Sequence, residues 1–203
     1  MPKEKKGEFR KLGIPTIRDR VAQMEVKMLI EPLWEADFEE TSYGFRPKRG
    51  AHDAIKQIKQ NIYDGHHFIY DADLSKYFDT IPHEKLFVLL KERIRDNGIL
   101  NIIKQWLKAP KQLKNGKLLT SKADTPQGGV ISPLLSNIYL HAFDRIVNSP
   151  NSKFAKGNIR IVRYADYFVQ MGTYYYSREI LAYINSLMTR MGLTINKEKT
   201  SML

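Results

Sequence analysis

The stretch IRIVRYADYFVQM, residues 159–171, reads as a strand, a tight turn and a second strand. A hairpin commits part of the chain to antiparallel pairing. Around it, helical and strand patterns alternate irregularly, so the expected class is α+β, with a largely antiparallel sheet backed by helices.

The other elements follow from caps, breakers and periodicity. Thr16 can cap a helix running through IRDRVAQMEVKMLI, with Val21, Met24, Met28 and Leu29 as its apolar stripe. Pro32 is expected to break or kink it. AHDAIKQIKQNIYDG is a second helix, with Ile55, Ile58 and Ile62 at helical spacing and Gly65 as its stop. HFIYDAD alternates as a strand. Pro82 opens a third helix, and ILNIIKQWLK is a fourth. KQLKNGKLLTS carries the hairpin signal Asn115-Gly116. Ser132-Pro133 starts a helix reaching about Ile146. Ser177 caps the last long helix, Gly192 ends it, and LTIN is a short strand.

With 203 residues the chain suits one domain, or one domain and part of a second, and no linker, repeat or low-complexity tract divides it. Hydrophobic residues at 42% and aromatics at 11% mark a soluble globular class and exclude a disordered one. The absence of cysteine excludes disulfides and thiolate metal sites, and fits a reducing compartment. No apolar run reaches membrane-spanning length, and MPKEKKGEFR lacks the apolar core of a signal peptide, so a cytoplasmic location is expected.

The net charge of +11 points to a polyanionic partner, and its distribution sharpens the point. Residues 101–122 and 145–163 hold lysines and arginines but no acid. Any single lysine there suits solvated surface. Two acid-free basic stretches in a chain otherwise well supplied with acids point to nucleic acid.

Alternation in HFIYDADLSKYFD puts Ile69, Asp71 and Asp73 on one side of a strand and Phe68, Tyr70 and Ala72 on the other. An acid at the end of a hydrophobic strand is costly to desolvate unless a cation or hydrogen bonds compensate. Asp73 can equally cap a turn at LSKYF. Asp166, flanked by Tyr164 and Tyr167, can be an ordinary turn aspartate. Between them lies DTPQGGVISPLLSN, residues 124–137: a rigid turn, a glycine pair that lets a ligand approach the main chain, and a helix start.

Six stretches in this order resemble the reverse transcriptase domain of bacterial group II intron proteins (intron maturases). They are PKEKKGEFRKLGIPTIRDR (2–20), SYGFRPKRGAHDAI (42–55), DADLSKYFDTIPH (71–83), TPQGGVISPLLSNIYL (125–140), RYADYF (163–168) and GLTINKEKT (192–200). The resemblance implies a right-hand polymerase palm at residues 66–203 and partial fingers at 1–65, with thumb and maturase regions absent. It implies an RNA-directed DNA polymerase acting on an RNA template, expected to be group II intron RNA, with a DNA primer and deoxynucleotides. Homo-oligomers are compatible with it.

Such an enzyme aligns a primer hydroxyl with a nucleotide α-phosphate using two Mg²⁺ ions about 3.5–4 Å apart, with Mn²⁺ as a substitute. By resemblance Asp73 and Asp166 are the catalytic metal ligands, assisted by the carbonyl of Leu74. Phe78 matches the bulky residue beneath the incoming sugar, and core packing is its alternative role. Gln127 and Gly128 would lie under nucleotide and template, and Lys3 and Arg10 match positions gripping the triphosphate. Lys199 matches a lysine near the phosphates, or is surface charge. Tyr43, Phe45, Arg46 and Arg49 would contact single-stranded template or RNA.

The family's box is Tyr-Ala-Asp-Asp, and here its fourth position is Tyr167. A phenol titrating near ~10 is neutral at working pH and cannot replace a carboxylate's charge. Three readings follow: a reverse transcriptase core, a catalytically impaired maturase-like RNA-binding protein, or a truncated palm-fold remnant.

Overall fold

A computed structural model describes residues 13–112, 118–119, 128–174 and 178–203. Helix α1 (Ile17–Glu35) starts where Thr16 Oγ1 accepts the Asp19 amide at 3.2 Å. Pro32 does not end it. The proline sits in the last turn, where only one helical bond is lost, and Trp34, 2% exposed, anchors that turn in the core. The expected apolar stripe is not the buried face. Gln23, Ile30 and Trp34 face the core, whereas Val21, Met24, Met28 and Leu29 are exposed.

Helix α2 (Ala51–Tyr63) begins where Asp53 Oδ2 accepts the Gly50 amide at 2.8 Å, and Gly65 at φ +92° follows its end. It buries Ala54 and Asn61, while Ile55 and Ile62 stay exposed. Strand β1 (Phe68–Asp73) leads through the short α3 (Tyr77–Thr80) to α4 (His83–Arg93) and α5 (Asn97–Lys108). The Asp96 carboxylate caps α5 by accepting the Ile99 amide at 2.9 Å. Strands β2 (Lys111–Gln112) and β3 (Leu118–Leu119) pair antiparallel, while Asn115 and Gly116 lie outside the described residues. Next come α6 (Ser132–Asn148), the short α7 (Lys153–Lys156), β4 (Ile159–Tyr164), β5 (Tyr167–Gly172), α8 (Arg178–Met191) and β6 (Ser201–Met202). Ser177, expected to cap α8, is also outside the described residues.

The main sheet runs β4-β5-β1-β6, with every pair antiparallel. The expected strand at LTIN reduces to one bridge, Leu74 with Ile195. The chain turns after Asn196, whose side chain accepts the Glu198 amide at 3.1 Å, and returns along β1 as β6. One sheet face, carrying Tyr70, Ala72, Ile161 and Phe168, packs on a core containing Leu86, Leu90, Ile138, Phe143 and Met188. The other face is covered in part by α2, where Ala54 meets Val162 and Tyr43. Residues 41–43 run parallel to β4: the Arg163 amide donates to the Thr41 carbonyl at 2.8 Å and the Tyr43 amide to the Arg163 carbonyl at 2.9 Å.

Candidate active site

Strand alternation sets the site. On β1, Tyr70 and Ala72 are buried, and Asp71 and Asp73 project from the opposite face. Asp73 is register partner to Tyr167, the first residue of β5. Asp166 precedes it in the two-residue turn joining β4 to β5, because Tyr164 pairs with Tyr167. The Leu74 amide donates to the Asp166 carbonyl at 3.3 Å. Two aspartates far apart in sequence thus stand at one end of the sheet, Asp73 closing β1 and Asp166 in the turn that leads into β5.

Asp73 is only partly exposed, with a side-chain exposure of 18%. Its carboxylate lies 3.9 Å from Lys199 Nζ and 3.5 Å from Asn196 Nδ2. Its carbonyl accepts the Asn196 amide at 2.8 Å, so the turn carrying Lys199 is tied directly to the end of β1. Tyr167 reaches diagonally back along β1, and its hydroxyl donates to Asp71 Oδ2 at 2.6 Å. That bond, with partial burial and the nearby charges of Asp71 and Asp73, pushes the phenol up to about 12. The other Asp71 oxygen is buried with no partner among the described residues.

The remaining candidates separate into two groups. Phe78, five residues after Asp73, and Phe45 come together edge to face at 6.3 Å between ring centres. Phe45 is exposed and takes a left-handed backbone at φ +59°. Phe78 also packs edge to face on the buried Tyr77 at 5.6 Å, so packing and exposure to a ligand coexist there. Arg46, Arg49 and Tyr43 are engaged within the chain. The Arg46 guanidinium is buried and grips Glu35 at 2.6 and 2.9 Å, while donating to the carbonyls of Glu39 at 2.7 Å and Ser42 at 2.9 Å. Arg49 pairs with the Glu40 carboxylate and lies over the ring of the buried Tyr43 at 5.6 Å.

Gly128, at φ +110°, packs on the protein's own backbone: a Cβ there would sit 2.5 Å from the Gly13 carbonyl oxygen. Beside it the Val130 amide donates to Gln23 Oε1 at 2.8 Å. Lys3, Arg10 and Gln127 lie outside the described residues. Sequence reasoning missed Gln23, and it missed the buried group formed by Arg163, Asp144 and Asn137 behind the Asp166 turn. A charged residue inside the apolar strand IRIVRY is the available signal.

The donor set suits a hard divalent cation. Asp73 carries a carboxylate at this sheet end and Asp166 stands in the adjoining turn, both side chains oxygen donors of the kind such a cation takes, while the Lys199 ammonium 3.9 Å from Asp73 would compete with it. Among the described residues no group of three or more His, Cys, Asp or Glu side chains is arranged to hold a metal ion. An ion here would therefore keep several waters or substrate oxygens, as Mg²⁺ commonly does. Among the described residues no helix is long and apolar enough to cross a membrane.

The family model described as reverse transcriptase (RNA-dependent DNA polymerase) matches residues 1–203. The chain is 41% identical over 146 residues to protein YkfC of Escherichia coli, covering 70% of this chain and 38% of that protein. It is 39% identical over 152 residues to the group II intron-encoded protein LtrA of Lactococcus lactis, covering 75% and 25%. It thus spans about a quarter to two-fifths of these relatives. In fold it is similar to telomerase from Candida tropicalis, solved with a fragment of telomeric RNA, at a TM-score of 0.65 and 12% identity, covering 92% of this chain and 33% of that one.

Proposed function

The chain belongs to the reverse transcriptase family, in its group II intron branch, and from this premise we propose that it is the catalytic core of an RNA-directed DNA polymerase. In this reading residues 66–203 form the palm and 1–65 part of the fingers. The observation that carries it is the register of β1 on β5, which sets Asp166 one residue beyond the partner of Asp73, with the Leu74 amide on the Asp166 carbonyl.

Asp73 and Asp166, with the Leu74 carbonyl, would hold Mg²⁺. When bound, the ions activate the attacking hydroxyl and stabilise the leaving oxygen. Phe78, backed by Tyr77 and flanked by Phe45, forms a wall under the sugar that a ribose 2′ hydroxyl would strike. Lys199 presents an ammonium next to Asp73, where nucleotide phosphates would gather. Lys3, Arg10 and Gln127 stay with the nucleotide by resemblance, and Gly128 supports the adjoining turn through its contact with Gly13. Phe45 is the template contact best placed for stacking. Tyr43, Arg46 and Arg49 shape the loop that presents it. The RNA template, DNA primer and deoxynucleotides are the partners of this reading.

A second reading rests on Tyr167, whose hydroxyl is spent on Asp71. A site short of one carboxylate fits a maturase-like protein that binds intron RNA without polymerising. Primer extension on an RNA template with Mg²⁺ or Mn²⁺ decides. Extension by the wild-type chain that is abolished in Asp73→Ala supports the polymerase. No extension by the wild type, extension by Tyr167→Asp, and RNA binding that weakens steeply with salt support the second. Wild-type extension that survives Asp73→Ala defeats the assignment of the site.

A further inference from the structure

We infer that Arg163 is a positioning residue that sets Asp166 against Asp73 by gripping the peptide group in front of Asp166. The inference rests on the two-carboxylate reading of the site and adds a residue to it.

Arg163 lies on the core face of β4 and its side chain is completely buried, as is that of Asp144 on α6. Burying a guanidinium is costly unless every donor is met. Here all five N–H groups have acceptors. Nε donates to Asp144 at 2.8 Å, and Nη2 to Asp144 at 2.5 Å and to Ser42 Oγ at 2.6 Å. Nη1 donates to Asn137 Oδ1 at 3.1 Å and to the Ala165 carbonyl at 2.8 Å.

The last bond is the informative one. The Ala165 carbonyl belongs to the peptide that enters Asp166, and the Asp166 carbonyl accepts the Leu74 amide, next to Asp73. Asp166 is therefore clamped on both sides, by Arg163 from behind and by β1 from the front. Ala165 takes a left-handed backbone at φ +58°, a conformation that an alanine adopts only when its surroundings hold it there. Gly44 closes the clamp from a third side: a Cβ there would lie 2.2 Å from the Ala165 nitrogen, and the Gly44 carbonyl accepts Asn137 Nδ2 at 2.7 Å. An apolar pair in place of Arg163 and Asp144 could fill the same space, but it has no donor for the Ala165 carbonyl.

The test measures Mn²⁺ affinity of the full chain by electron paramagnetic resonance, alongside thermal unfolding. The chains compared are the wild type, Asp73→Asn, Arg163→Lys, Asn137→Ala and Trp34→Ala. Lysine keeps the charge but cannot span Asp144, Ser42 and the Ala165 carbonyl together. The expected result is a loss of about tenfold or more in Mn²⁺ affinity for Arg163→Lys, the size seen when supports of metal ligands are removed. Asn137→Ala is expected to lose affinity in the same direction and carries the test if Arg163→Lys does not fold. Trp34→Ala, destabilising through a ring that packs on Phe38 and His141 and makes no hydrogen bond to a clamp group, should keep wild-type affinity, which separates positioning from general loosening. Mn²⁺ binding that depends on Asp73 yet stays unchanged in both clamp variants overturns this inference alone, as does an equal loss in Trp34→Ala. Absence of any Asp73-dependent binding in the wild type overturns the two-carboxylate reading, and this inference with it.

Discussion

Tyr167 donates its hydroxyl to Asp71 at 2.6 Å, although Asp73 is the residue directly opposite it in the sheet. The bond holds the phenol up to about 12. A raised phenol favours the folded state while protonated, so this contribution is present below the ordinary value near ~10 and is lost as pH climbs toward 12. Ultraviolet titration of the wild type minus Tyr167→Phe should show one tyrosine ionising near 12. In Asp71→Asn that step should move down toward the ordinary value. An unmoved step would mean that the hydrogen bond does not form in solution.

Phe78 stands between a buried ring and an exposed one. In the form of the chain that extends a primer, Phe78→Ala should raise ribonucleotide use relative to deoxyribonucleotide by about tenfold, equivalent to ~1.4 kcal/mol of discrimination. Single-turnover incorporation of matched nucleotides measures it. Unchanged selectivity would leave Phe78 as a packing residue.

Arg46 makes its bonds to Glu35 and to two carbonyls of its own loop. Arg46→Ala should therefore cost stability, about 1–3 kcal/mol in urea unfolding, through the acceptors left behind. The salt dependence of RNA binding should keep its slope. A slope reduced by about one phosphate contact, with stability intact, would return Arg46 to the nucleic-acid surface.

Asp144 neutralises a guanidinium that water does not reach. Asp144→Ala should destabilise the chain by about 3–5 kcal/mol. The double variant Asp144→Leu with Arg163→Met should recover much of that stability without recovering Mn²⁺ affinity. Denaturant midpoints and metal titration together check both halves, and recovery of affinity in the double variant would contradict the clamp.

The two faces of α1 differ in what they stabilise. Trp34→Ala should cost about 3–5 kcal/mol, because the ring is 2% exposed. Met28→Lys, at a side chain 68% exposed, should change stability by no more than about 0.5 kcal/mol. Equal costs in thermal unfolding would mean that the stripe around Met28 is covered in the folded chain.

The local elements were legible from residue order alone, because their causes are local. Thr16 caps α1 and Asp96 caps α5, Gly65 and Gly192 take the positive φ angles that end helices, and strict alternation in FIYDAD separates Asp71 and Asp73 from Tyr70 and Ala72. The pairing of acids with a hairpin, and with it the family, was legible for the same reason. Tertiary packing decided what period and type leave open. On α1 and α2 the apolar period identified helices, but contact on one side selected Trp34 and Ala54 for burial and left Met28 and Ile55 in solvent. Arg46 and Arg163 carry the same charge as any surface arginine, and only the positions of Glu35 and Asp144 turned them inward. Their partners are brought together by the fold, and electrostatic pairing depends on distance in space, which a linear order of residues does not specify.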